Sequence, residues 1–204
     1  MNSIINFIIS MMPYMLASVP VIILIRAAAY FVNKKNNIHT TALHEMGFAL
    51  LFMFIVGLAS QTIIPRLLID SSGISFAKIY GASSFNFIPG RIITTSLNSM
   101  SHGDYNYFII NFLGNVGMFI PLGLMIPLLW RCSVKKTIIT GFLSSLSIEL
   151  IQIFLPRCTD IDDLWMNTLG AVIGCLIYVL INKLFPGFTE KCKTHEENKT
   201  HSEY

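Results

Sequence analysis

Apolar residues run along the chain in long blocks, separated by shorter polar stretches. The blocks are Ile4 to Val32, Leu43 to Ile64, Phe108 to Trp130, Thr137 to Leu155 and Leu164 to Phe185. A membrane-crossing helix needs about 20 such residues, and each block supplies them. Pro65, Pro156 and Pro186 stop the second, fourth and fifth blocks, because proline cannot continue a helix interior. Pro13 and Pro20 predict a kink in the long first block. The pattern predicts an all-α, polytopic membrane protein with about five transmembrane helices.

Charge adds orientation. Lys34, Lys35 and His39 follow the first block, and Arg131, Lys135 and Lys136 follow the third. Lys183, Lys191, Lys193 and Lys199 mark the C-terminal end. With five spans all three groups share one side. The positive-inside rule then predicts the N-terminus outside and the C-terminus inside, in a multi-pass protein of the cell membrane. Three regions follow. Residues 1–42 hold the first helix and a cytoplasmic loop, and 43–186 form the membrane domain. Residues 187–204 form a polar, disordered tail. Inside the membrane domain, 65–107 is a long outer loop. Its Phe85, Phe87 and Ile88 around Asn86 and Pro89 suggest a segment lying in the interface or dipping into the membrane.

Composition narrows the class further. Charged residues make up 12% of the chain, about half the ~25% of soluble domains. The partner this implies is the lipid bilayer, not nucleic acid. Met1 to Ser10 contains no Lys or Arg, so the chain is expected to lack a cleavable signal peptide. Cys132, Cys158, Cys175 and Cys192 match no zinc or redox spacing. No disulfide is expected from them.

Polar residues interrupt the greasy pattern at one depth. Ser145, Glu149, Gln152 and Pro156 form one stripe at i, i+4, i+7 and i+11 of the fourth block. Asn111 and Asn115 lie one turn apart near the outer end of the third. Asp163 and Asn167 do the same at the outer start of the fifth, whose stripe continues through Gly170 and Gly174. Short loops make these three helices neighbours, and Gly170-x-x-x-Gly174 permits a close helix contact. The stripes predict a polar pocket open to the outside.

Ionisable groups within spans are costly, about 2.5–3.5 kcal/mol for Asp at a helix centre, so a functional site is the default reading. Glu149 would be acid or base, with Asp162 and Asp163 as further catalytic candidates. Asn86, Asn111, Asn115, Gln152, Arg157 and Asn167 would bind substrate, Arg157 by a two-pronged contact to phosphate or carboxylate. Asp160, Asp162 and Asp163 are hard oxygen donors for a divalent cation. Structural readings stand beside these. Glu149 and Gln152 could bond the asparagines and hold the bundle together. Asp162 or Asp163 could cap the fifth helix, and Asn86 with Pro89 could make a turn. His102 reads as a loop residue, and His44 and Glu45 as interfacial. Tyr105, Tyr107, Trp130 and Trp165 read as an aromatic belt.

Three segments together resemble a known family. They are NFIPG at Asn86 to Gly90, NFLGNVGMFIPLGLMIPLL at Asn111 to Leu129, and SIELIQIFLPRCTDIDDLWMNTLGAVIG at Ser147 to Gly174. In this order and spacing they are similar to the VanZ-like bacterial membrane proteins, over about residues 45 to 185. The resemblance implies an envelope role in Gram-positive bacteria, of the kind associated with low-level teicoplanin resistance. It supplies no reaction. A lipid-linked wall precursor or the glycopeptide itself would be the partner met at the outer face. An enzyme acting on such a lipid, a protein that binds and shields without chemistry, and a small lipid transporter all remain open at this level. The polar stripe fades before the inner leaflet, which disfavours the transporter.

Overall fold

The computed structural model describes residues 2–64, 67–70, 73–76, 85–155 and 159–196. Four helices in it are long and apolar enough to cross a membrane, or five if one bent pair forms a single span. These are α3 (Ala42–Thr62), a span over Phe108–Leu129, α6 (Val134–Ile153) and α7 (Ile161–Leu184). Each lies within three residues of its block at either end.

The bent pair is the first block. It forms α1 (Asn2–Ala17) and α2 (Val19–Lys35), with an angle of 41° between their apolar parts at Ser18. Pro20 sits in the first turn of α2, where a missing N–H does no harm. The same residue denies the preceding helix a donor, so the break falls just before it. The expected kink is therefore a full break.

The span over Phe108–Leu129 opens with one widened π-helical turn, Phe108–Leu113, and continues as α5 (Gly114–Leu129). Pro121 and Pro127 lie inside α5. Pro127 cannot donate to the Gly123 carbonyl four residues back. The Cys175 thiol of α7 donates to that carbonyl instead, at 3.4 Å.

α5 and α7 pack with their backbones almost touching. A Cβ at Gly170 would collide with the Val116 carbonyl, and one at Gly174 with the Ile120 carbonyl. A Cβ at Gly123 would strike the Ala171 carbonyl from the other side. Glycine is required here by approach, as the small-residue pattern implied. α6 packs on α7, and α3 packs on α5. Phe119 and Leu122 of α5 meet Leu58 of α3 in one core cluster. Exposed Leu143, Leu150, Leu176 and Leu180 face outward, as lipid-facing residues do.

The connection from α3 to α5 is built, not merely long. β2 (Leu67–Asp70) and β3 (Gly73–Phe76) pair as an antiparallel hairpin. β4 (Phe85–Asn86) pairs in parallel with β5 (Thr159–Asp160). α4 (Arg91–Ser101) buries Ile92 and Ser96 and exposes Ile93 and Leu97. With Phe87 and Ile88 also exposed, the segment has the amphipathic form of an interfacial element.

The opposite end of the bundle carries the basic connections. β1 (Ile38–His39) and β6 (His195–Glu196) pair there in antiparallel fashion. α8 (Pro186–Cys192) lies between α7 and β6. The Thr41 hydroxyl donates to the Lys191 carbonyl at 2.5 Å, and His44, fully buried, bonds the Cys192 carbonyl through Nδ1 at 2.9 Å. The polar tail is thus folded as far as Glu196. The two buried side chains Thr189 and Cys192 give it the packing that its overall polarity hid. His44, expected at the interface, is part of that packing.

Glu190 of α8 forms ion pairs with Arg131 and with Lys193. Burial pushes its carboxyl up, but the hydrogen bonds and charges of Lys193 and Arg131 outweigh this and hold it below its ordinary value of 4.5. A depressed folded-state pKa means the contact stabilises fully above 4.5 and is lost as the pH falls through the lower folded value. Amide exchange across α8, corrected for intrinsic rates, is expected to rise below that pH. Arg131→Gln should flatten the rise; an unchanged rise in that variant would remove Glu190 as its cause.

Candidate functional site

The site grows from the apolar pattern. α6 buries Thr137, Gly141, Ser145, Glu149 and Gln152, a single stripe at helical spacing. α7 buries Asp162, Met166, Asn167, Gly170, Ala171, Gly174 and Cys175. The polar members of both stripes therefore face the interior of the bundle, where each must find a partner or remain costly.

Asp160 starts the network. It is the N-cap of α7, and its carboxylate accepts from the Asp162 backbone N–H at 2.9 Å. The same oxygen, Oδ1, accepts from the Asn86 side-chain amide at 2.8 Å. The Asp160 backbone N–H donates in turn to Glu149 at 3.1 Å. One residue thus ties the end of α6, the start of α7 and the β4 segment together. Neither Asp162 nor Asp163 caps α7, contrary to expectation.

Asp162 caps another helix. Its side chain is fully buried and accepts from the Gly90 N–H at 2.7 Å and the Ile92 N–H at 2.8 Å. Trp165 Nε1 donates to it at 2.9 Å. Gly90 is the residue before α4 and sits at φ 80°, in the left-handed region that glycine enters without penalty. A carboxylate at a helix N-terminus meets unsatisfied N–H groups and the positive end of the dipole. The geometry makes Asp162 an anchor for α4, with both carboxylate oxygens taken by these donors. Trp165, read as a belt residue, is its partner.

Asp163 points elsewhere, to the Asn115 side-chain amide of α5. The three aspartates consequently do not converge. Among the described residues no group of three or more His, Cys, Asp or Glu side chains is placed to hold a metal ion. The side chains expected to hold a cation, Asp160, Asp162 and Asp163, are instead turned to Asn86, to the start of α4 and to Asn115.

Two side-chain amide oxygens remain open. The Gln152 amide donates to the Thr62 carbonyl at 3.0 Å, and the Asn167 amide donates to the Ser145 hydroxyl at 2.9 Å. The oxygens Gln152 Oε1 and Asn167 Oδ1 are buried without a hydrogen-bond partner among the described residues. Each such group costs about 1–3 kcal/mol. The ion pairs among the described residues join Arg26 to Glu45, and Arg131 and Lys193 to Glu190; none reaches Glu149, Asp160 or Asp163. The arrangement is a set of acceptors that a ligand's O–H or N–H groups can satisfy.

The sequence matches the VanZ/LLP1 family over residues 46–182, well over half of the chain. The chain belongs to the VanZ/LLP1 family. No curated protein and no solved structure matches it.

In this VanZ/LLP1 protein most of the expected site residues do gather at one end. Asn86, Asn115, Glu149, Gln152, Asp160, Asp163 and Asn167 lie on elements joined by the bonds above. Asn111 turns back on its own helix and donates to the Tyr107 carbonyl at 2.9 Å. That bond lies across the widened turn. Arg157 and Cys158 lie outside the described residues. Ser145 and the Thr62 carbonyl are the additions. Ser145 was visible in the stripe but only as spacing; a backbone carbonyl has no signature in sequence.

Proposed function

We propose that this protein acts at the outer face of the cell membrane, where it lowers susceptibility to teicoplanin-type glycopeptides by acting on an envelope lipid or lipid-linked wall precursor. Positive-inside orientation underlies the sidedness: the basic connections gather at one end and the polar cluster at the other. The observation that carries the reading is the acceptor-rich site between α5, α6 and α7. Glu149, Asp163 and the unpartnered oxygens of Gln152 and Asn167 favour a ligand rich in hydroxyl, amide N–H or ammonium donors. Sugar and amino headgroups have that character.

Among the described residues Asp162 accepts from three donors and Asp160 from two, whereas Glu149 and Asp163 each accept from one, so the chemistry falls to Glu149 and Asp163. Glu149 would exchange a proton with the ligand, and Asp163, held by Asn115, would orient it.

The test measures inhibitory concentrations of teicoplanin and vancomycin in a susceptible Gram-positive host. Wild type and Glu149→Gln are expressed at matched membrane levels. Wild type is expected to raise tolerance to teicoplanin selectively, and Glu149→Gln to abolish the gain while remaining folded. A partial loss with unaltered envelope lipids by mass spectrometry would favour binding and shielding over chemistry. Full activity in Glu149→Gln would end the acid–base role.

A further inference from the structure

A second site lies at the basic end, far from the cluster along the bundle. A cleft of about 510 Å³ opens between the end of α2 and the start of α3. Arg26, Tyr30, Asn33 and Lys34 line one wall, and Thr40 and Glu45 lie opposite. The first four recur at i, i+4, i+7 and i+8, so one helical face presents them together.

The floor is rigid. Arg26 Nε donates to Glu45 at 2.5 Å, its Nη2 donates to the other carboxylate oxygen, and the guanidinium lies 4.7 Å from the centre of the Phe48 ring. Thr40 donates to the same carboxylate at 2.6 Å. Arg26 and Glu45 thereby neutralise each other. Lys34 is exposed and forms no ion pair among the described residues. It leaves the cleft with one uncompensated positive charge. Tyr30 and Asn33 add neutral donors beside it.

The surroundings identify the ligand. Ile23, Leu24, Phe31 and Val32 of α2 are exposed and apolar, which is a lipid-facing wall leading into a polar cleft. Polar heads and apolar tails would meet there as they do in a phospholipid. Lys34 gives the cleft a positive charge beside the paired Arg26 and Glu45, His39 lines it as well, and Glu45 opposes a second negative charge on the ligand. This favours a monoanionic phosphodiester over a phosphomonoester.

We propose that this cleft binds the phosphodiester headgroup of an anionic phospholipid in the leaflet at the basic end. Lys34 supplies the charge, and Tyr30 and Asn33 the hydrogen bonds. The full chain in detergent is titrated with phosphatidylglycerol, phosphatidic acid, phosphatidylcholine and inorganic phosphate, and bound lipid is read by native mass spectrometry. Phosphatidylglycerol is expected to bind best. Lys34→Gln should weaken it about fivefold, the effect of one basic residue at a membrane surface. Tyr30→Phe should weaken it less, and Lys35→Gln, outside the cleft lining, should leave it unchanged. Equal binding of phosphatidylcholine would overturn the charge argument. Displacement by inorganic phosphate at equal concentration would identify a free-anion site instead. An equal loss in Lys35→Gln would reduce the cleft to a general basic surface.

Discussion

Asp162→Ala is expected to detach α4 from the bundle and to destabilise the whole protein. The side chain is fully buried and accepts from two backbone N–H groups and one indole N–H. Alanine would leave all of them without an acceptor. At about 1–3 kcal/mol for the buried Ile92 donor and less for the two part-buried ones, the loss is about 2–4 kcal/mol. Part could be recovered by water entering at the α4 end, so the damage should concentrate there. Asp162→Asn keeps the shape and one acceptor oxygen, which can still take the Gly90 and Trp165 donors, but turns an N–H₂ toward the Ile92 N–H, so it should rescue part of the loss. Thermal unfolding in detergent gives the global cost, and amide exchange across Arg91–Ser101 gives the local one. Asp163→Asn is the matched comparison. Its carboxylate meets a side-chain amide of α5, which can turn to accept, and the fold should survive. If Asp162→Ala and Asp163→Asn were equally stable, the anchoring role of Asp162 would be wrong. The pair also separates stability from function, because adjacent aspartates are assigned opposite duties.

Gly174→Ala should cost as much through a different cause. Its new methyl would meet the Ile120 carbonyl and come within 2.7 Å of the Leu124 nitrogen. Both are backbone atoms of α5 and cannot rotate aside. The helices would have to separate, breaking the contacts of Gly170 and Gly123 along the same seam. Overpacking a core typically costs about 1–3 kcal/mol, and a backbone clash belongs at the upper end. Gly117 is the control, since a Cβ there has nothing within 4 Å. Gly117→Ala should be neutral or stabilising by up to about 1 kcal/mol, the helix preference of alanine. Equal melting temperatures for the two variants would contradict the close approach of α5 and α7.

Much of this molecule was legible before any coordinates. The spans follow from the length of apolar blocks, because a bilayer demands some 20 such residues and penalises any exposed backbone. Ser145, Glu149 and Gln152 could be placed on one face by spacing alone. The Gly170 and Gly174 pair announced a close contact without naming its partner. The VanZ-like motifs pointed to the family that the match over residues 46–182 establishes.

The roles of the aspartates were not legible. Asp160, Asp162 and Asp163 look interchangeable along the chain, and all could serve a metal, a cap or a reaction. Their directions depend on where α7 begins; Asp160 caps that start and is itself held by Phe85–Asn86, more than seventy residues away. The fold of the chain from Pro186 to Glu196 has a similar origin. Local composition suggested a disordered tail, but the pairing of His195–Glu196 with Ile38–His39 sets the outcome.

By itself, then, the sequence determined an all-α membrane protein, its spans, its segregated charge and the depth at which polar residues collect. Those properties depend on local hydrophobicity and helical period, which each segment carries within itself. Tertiary structure alone decided which aspartate anchors α4, which one faces α5, and which oxygens are left for a ligand. Those depend on backbone N–H and C=O groups of remote segments. Every residue type but proline supplies the same two groups, so no spelling of the sequence reveals where they will meet.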